Sequence, residues 1–232
     1  MSITPGAQFQ PASDRSLLVS FGGEITRWRH EQVAKLLRFL ELEHIPGLHN
    51  FHPAYSSLLI TFDCSRWTHR ALEEVLCERL ERADNSLLIE TRRVELSVCY
   101  GGESGPDLED VASLRGLTAE DVIRLHSSTD YVVYFLGFVP GFAYLGDLPD
   151  ALLTPRLATP RRSVPPGSVG IAGRQTGVYP LPTPGGWRVI GRTPLRMFDP
   201  ETGSRLRIGD RVRFVPISKE QYAALEQEQA TP

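Results

Sequence analysis

Between Leu136 and Pro200 the sequence carries eleven of its eighteen prolines and ten of its twenty glycines. Proline locks φ and removes an amide donor, so no helix of any length fits there. The stretch is restricted to short strands joined by fixed turns. Its charge pattern is equally uneven. From Ala151 to Met197 there is no Asp, Glu, Lys or His, but there are seven arginines: Arg156, Arg161, Arg162, Arg174, Arg188, Arg192 and Arg196. The chain as a whole is −3, so this window is +7 and the remainder is −10. A basic island of this kind collects anions. Guanidinium adds a planar fork of donors that grips a carboxylate or phosphate on two atoms. Arginines alternating outward along strands also form solvated faces with packed stems, and that reading stands beside the first.

The rest of the chain bounds the classes. Its 232 residues suffice for one large domain or two modest ones. Met1 to Ser16 is polar and lacks the charged-then-apolar order of a signal peptide. No apolar run reaches the ~18 residues that span a bilayer. Cys64, Cys77 and Cys99 are odd in number and far apart, which argues against a disulfide framework or a zinc site. Net acidity opposes a polyanion partner. A cytoplasmic soluble protein is expected, binding neither nucleic acid nor membrane.

Residues 1–15 read as a flexible tail. Leu17–Phe21 reads as a strand, closed by Gly22-Gly23. Val33, Leu36, Leu37 and Leu40 repeat at helical spacing, opposite Glu31, Lys35, Arg38 and Glu41, until Pro46-Gly47. Leu48–Phe51 and Ser57–Phe62 read as strands. Thr68 caps a second helix with the stripe Leu72, Val75, Leu76 and Leu80. Val94, Leu96, Val98 and Tyr100 alternate on one side of a further strand. This order is that of a split βαβ, ferredoxin-like α+β domain over 16–92, with the boundary in the polar segment 83–93 and a last strand that either domain could use.

From 93 to 232 the pattern changes. Thr118 and Asp121 form a capping-box signature for a helix through His126. Tyr131–Phe138 is an apolar run read as a buried strand. Short strands with Gly/Pro punctuation then run to Ile217, which argues for a closed β-barrel. Ser218 and Gln221 cap a short terminal helix.

Several chemistries are missing. There is no P-loop, no GxGxxG and no GxSxG. Gly167, Gly170 and Gly173 read as turn and close-packing glycines. His49 and His52 fall on opposite faces of a strand, so no metal site is expected. Glu103, Asp107 and His126 are the acid–base candidates, with His126 equally readable as a satisfied histidine at a helix end. Gln175, Thr176 and Tyr179 lie in a stretch too polar for a core strand and, with Arg174, suit a small amide or carboxylate. Pro140, Phe142, Tyr144 and Trp187 are candidate apolar walls.

Four blocks carry a family resemblance: Gly-Phe-Val-Pro-Gly-Phe-Ala-Tyr-Leu-Gly (137–146), Ala-Thr-Pro-Arg-Arg (158–162), Pro-Gly-Ser-Val-Gly-Ile-Ala-Gly-Arg-Gln-Thr-Gly-Val-Tyr-Pro (166–180) and Gly-Gly-Trp-Arg-Val-Ile-Gly-Arg-Thr-Pro-Leu (185–195). With Tyr-Gly-Gly-Glu-Ser-Gly-Pro-Asp-Leu-Glu (100–109), they resemble the B-subunit family of 5-oxoprolinase, also called allophanate hydrolase subunit 1, which includes the kinase inhibitor of the Kip operon. Ala143 and Pro165-Pro166 are small departures. The resemblance implies a ferredoxin-like domain followed by a cyclophilin-like β-barrel. It further implies a non-autonomous component, inactive alone, that joins subunits C and A to hydrolyse 5-oxoproline to glutamate with ATP and its Mg. Inhibition of a sensor histidine kinase, or a part in allophanate and urea utilisation, are the alternatives it leaves open. On this basis Arg161, Arg162, Arg174 and Arg192 are expected to line an anion pocket for a lactam carboxylate, with Gln175, Thr176 and Tyr179 orienting the ligand.

Overall fold

The computed structural model describes residues 6–82 and 91–230. The chain divides into two compact units, Met1–Glu90 and Thr91–Pro232.

The first unit begins with a hairpin of β1 (Gln8–Ser13) and β2 (Ser16–Ser20), followed by α1 (Arg27–Glu43), β3 (Leu48–Pro53), β4 (Ser57–Phe62) and α2 (His69–Arg82). Thr26 caps α1 by accepting from the Arg29 amide, and the helix ends on His44 in the left-handed region. Its stripe of Val33, Leu36 and Leu40 is buried against Leu17, Val19, Leu58, Ile60 and Phe62. Thr68 accepts from the Ala71 amide at the start of α2, where Leu72 and Leu76 are buried. The Leu80 side chain lies outside the described residues, as does the expected boundary over 83–90.

The sheet order is β1-β2-β4-β3, all neighbours antiparallel. β4 therefore lies between the parallel pair β2 and β3, a split βαβ. Two expectations need correction. Residues 8–13 are not tail but the edge strand β1, paired from Gln8↔Ser20 to Ser13↔Ser16. Its mostly exposed side chains give no alternating apolar signal, and Pro11 is tolerated because an edge strand can spare a donor. The fourth ferredoxin-like strand, Val94–Tyr100, is absent from this sheet. The place beside β2 is held by β1, and Val94–Tyr100 enters the other unit.

There it belongs to β5 (Arg93–Tyr100), followed by α3 (Leu108–Arg115), α4 (Ala119–Ser127), β6 (Tyr131–Leu136), β7 (Ala143–Gly146), a 3-10 turn at Asp150–Leu152, β8 (Arg161–Val164), β9 (Ser168–Ala172), β10 (Gln175–Val178), β11 (Thr183–Gly185), β12 (Arg188–Arg192), the short pair β13 (Phe198–Asp199) and β14 (Gly203–Ser204), β15 (Arg211–Pro216) and α5 (Lys219–Ala230). Seven strands close a barrel in the order β10-β7-β6-β15-β5-β12-β9, and β8 pairs with β11 outside it. Only β15 and β5 run parallel among the barrel pairs. Leu96, Val98, Val133, Leu145, Val169, Ile171, Val178, Ile190 and Phe214 fill the interior, and Leu108, Val111 and Val122 of the two helices join the same core. The Thr118–Asp121 capping box is formed, and Ser218 and Gln221 exchange the equivalent bonds at α5. The three cysteines are free. Among the described residues no helix is long and apolar enough to cross a membrane.

Candidate functional site

The outer face of β7, β10, β9 and β12 carries a second apolar cluster of Phe142, Val164, Ala172, Tyr179, Trp187 and Val189, with Tyr144 against it. Its rings meet edge to face: Phe142 lies 4.9 Å from Tyr144, 5.2 Å from Tyr179 and 5.4 Å from Trp187. Phe135 stacks on Tyr144 at 4.4 Å and extends the face. Glycine makes this possible. Gly170 and Gly177 are register partners on β9 and β10. A Cβ on Gly177 would stand 3.2 Å from both Phe142 and Trp187, and one on Gly170 3.1 Å from Trp187. The rings thus rest on bare backbone. Gly167 and Gly173 are turn glycines at φ +81 and +55, so the triplet is structural.

Asp107 stands at the N-terminus of α3 and is 4 % exposed. One carboxylate oxygen accepts from Arg161 Nη2 at 2.6 Å and the other from the Val189 amide at 2.6 Å. These bonds fix Arg161 against the cluster, with its Nη1 buried and without a hydrogen-bond partner. A buried donor left unpaired costs about 1–3 kcal/mol, so such an atom calls for an explanation. Tyr179 is buried beside it. Burial pushes its phenol up, a backbone bond from Trp187 and the charges of Arg156 and Arg161 pull the other way, and the net shift is upward. Burial likewise raises Tyr144, against the pull of Arg156. Both hydroxyls are therefore protonated donors at neutral pH. Arg156, missed in the sequence, sits by both tyrosines; its only signal there was membership of the arginine island.

His126 has no catalytic setting. It is fully buried in the barrel, stacked on Phe214 at 4.4 Å, between Tyr100 Oη at 2.7 Å from Nδ1 and Thr176 Oγ1 at 2.9 Å from Nε2. Thr176 donates onward to the Gly170 carbonyl at 3.0 Å, so its oxygen accepts from Nε2–H. Nδ1 then accepts from Tyr100, and the ring is the neutral Nε2 tautomer. Burial lowers its pKa to about 3. Thr176 is consumed in this chain and cannot orient a ligand on the outer face.

The anion pocket does not assemble as expected. Arg192 is the register partner of Ser168 at one end of β9 and donates to the Pro166 carbonyl. Arg174 follows the other end, roughly 15 Å away at strand rise, and pairs with Asp150 at 2.9 Å with both side chains largely exposed. The two cannot hold one small anion. Arg162 is exposed, and as the neighbour of Arg161 on β8 it points to the opposite face. Gln175 is half-buried at the Arg174 hairpin, Pro140 is exposed in the β6–β7 loop, and Glu103 is exposed in the turn after β5. Glu103, Asp107 and His126 thus form no acid–base group: Asp107 is spent on Arg161 and Val189, His126 on Tyr100 and Thr176. Among the described residues no group of three or more His, Cys, Asp and Glu could hold a metal ion.

Fold and site together define a barrel protein with a preformed, arginine-flanked aromatic binding face and no assembled acid–base pair among the described residues. The carboxyltransferase domain family, subdomains C and D, matches residues 7–206. The chain is 41% identical over 233 residues to the B subunit of 5-oxoprolinase from Bacillus subtilis, covering 95% of this chain and 97% of that one. It is 51% identical over 180 residues to the B subunit of 5-oxoprolinase from Escherichia coli O157:H7, covering 75% and 78%. The chain belongs to the carboxyltransferase C and D family and, within it, to the B-subunit proteins of 5-oxoprolinase. Among solved structures, TTHA0988 is similar with a TM-score of 0.78 and 38% identity over 88% of this chain, which spans 40% of that longer chain. Urea amidolyase of K. lactis has the same fold at a TM-score of 0.77 and 20% identity, over 98% of this chain and 16% of that one.

Proposed function

We propose that this chain is the B component of an ATP-dependent 5-oxoprolinase, acting with subunits A and C to hydrolyse 5-oxoproline to L-glutamate. The observation that carries the reading is near full-length identity to a protein named for that role. The site agrees with a component that binds rather than reacts, because its carboxylate and imidazole are committed to internal partners. Its own part is to receive the substrate. The flat lactam ring lies against Phe142 and Trp187, which exclude water. Its carboxylate takes Arg161 Nη1, held ready by Asp107, and the protonated Tyr179 hydroxyl supplies a neutral donor beside it. Preorganised donors of this kind need no reorganisation on binding.

The barrel unit does not fit ATP. It offers no phosphate-cradling glycine loop, and the first turns of α3 and α4 carry Glu109, Asp110, Glu120 and Asp121, which repel phosphate. The nucleotide and its Mg belong to the other subunits in this reading.

The test is ATP-dependent glutamate release from 5-oxoproline by the reconstituted complex, with and without this chain. Activity should require it. Arg161→Gln should raise KM for 5-oxoproline at least about tenfold, the ~1.4 kcal/mol of one charge-assisted contact, while Arg174→Ala leaves KM unchanged. Activity without this chain refutes its place in the complex; equal KM values for the two variants refute the site.

A further inference from the structure

The loop between β6 and β7 presents a side chain that the fold itself does not use. Phe138 is 60% exposed, more than any other large apolar residue described, and its backbone has φ +71. The Val139 amide donates to the Gly137 carbonyl two residues back at 2.9 Å. A positive φ at the centre of such a bond marks the rare, strained kind of γ-turn. The turn is held from both sides. Gly137 N–H donates to the Phe142 carbonyl and Phe142 N–H to the Val139 carbonyl, each at 3.1 Å. Gly141 backs onto Phe198 so closely that a Cβ would lie 2.5 Å from the Phe198 Cβ. Phe142 is anchored in the aromatic cluster, and the Phe138 ring meets it edge-on at 5.7 Å.

Strain at a bulky residue persists only where the surroundings over-determine it, and such residues gather at clamps and contact sites. We infer that Phe138 is the anchor of a protein interface, inserting into an apolar socket rimmed by carboxylates on the C component of the complex; this rests on the assembly proposed above. A rigid aromatic knob loses little entropy on docking, which is how hot-spot residues act. The sign of the rim follows from charge. Arg156 and Arg162 are exposed on the same unit, and no acidic residue occurs between Ala151 and Met197, so the complementary surface is acidic. A protein occupant also agrees with TTHA0988, where more than half of the chain is further polypeptide beside this one's equivalent.

The experiment measures affinity of the purified chain for the purified C component by calorimetry, for the wild type, Phe138→Gly, Phe138→Ala and Phe138→Trp. Glycine takes positive φ freely, so Phe138→Gly should melt at or above the wild-type temperature and separates folding from binding. Glycine and alanine should each weaken binding at least about 30-fold, the ~2 kcal/mol of a hot spot, and tryptophan should restore most of it. Binding within about threefold of wild type for both truncations overturns the inference. So does normal assembly with a raised KM, which would make Phe138 a ligand contact, or loss of a wild-type self-dimer, which would make the occupant a second copy. A wild type that does not bind the C component overturns the complex and this interface together. Binding that is indifferent to Phe138 overturns the interface alone.

Discussion

Acid lability of the barrel should trace to His126. In the folded state its pKa is about 3, against 6.5 when free, and burial is the cause. Because the folded value is depressed, the associated stability is fully present above pH 6.5. It declines as pH falls and the unfolded chain takes up the proton first, and it is gone below about pH 3. Between pH 7 and pH 5 the linkage integral for this shift is about 2 kcal/mol. The carboxylates with lowered values, Asp121 and Asp199, start from an ordinary value of 3.8 and hardly titrate in that window. His126→Gln keeps a donor toward Thr176 and an acceptor toward Tyr100 but cannot be protonated. Urea denaturation at pH 7 and pH 5 in a Trp28→Phe, Trp67→Phe background lets Trp187, the remaining tryptophan, report the barrel unit alone. The wild type should lose about 2 kcal/mol between the two pH values, and His126→Gln should lose little even though it starts about 1–2 kcal/mol lower from imperfect hydrogen bonds. An equal loss in both proteins refutes the assignment.

Two further perturbations test the site's scaffold. Asp107→Ala removes the acceptor for the Val189 amide and the partner of Arg161, whose side chain is 30% exposed, so the ionic share is discounted. About 2–4 kcal/mol should be lost by urea titration, and Asp107→Asn, which still accepts from Val189, should lose roughly half as much. Gly177→Ala would place a methyl 2.8 Å from the Ala143 carbonyl oxygen and against Phe142 and Trp187. It should cost about 1–3 kcal/mol and shift Trp187 emission. Gly173→Ala, strained at φ +55 but in open space, should cost about 1 kcal/mol and leave the emission unchanged.

Local physics was legible in the sequence wherever one stretch of chain decides the outcome. The i, i+3, i+4 stripe of α1, the alternation of β4 and the capping residues Thr68 and Thr118 each act within a few residues, and proline with glycine excludes helix from 136 to 200 by backbone sterics alone. The edge strand β1 escaped because its partner, β2, supplies its order rather than its own pattern. The destination of Val94–Tyr100 escaped because an alternating strand suits any sheet; β15, more than a hundred residues later, claims it. The site divides the same way. Its residue types, arginine among aromatics, are in the sequence. Yet Arg174 and Arg192 look alike there and stand at opposite ends of β9, while Thr176 and Tyr179, three residues apart, go to the barrel interior and the outer cluster. Sequence by itself determined which side chains could act. Strand register and barrel closure decided which ones meet, because contacts between distant segments are set by packing that no local pattern encodes.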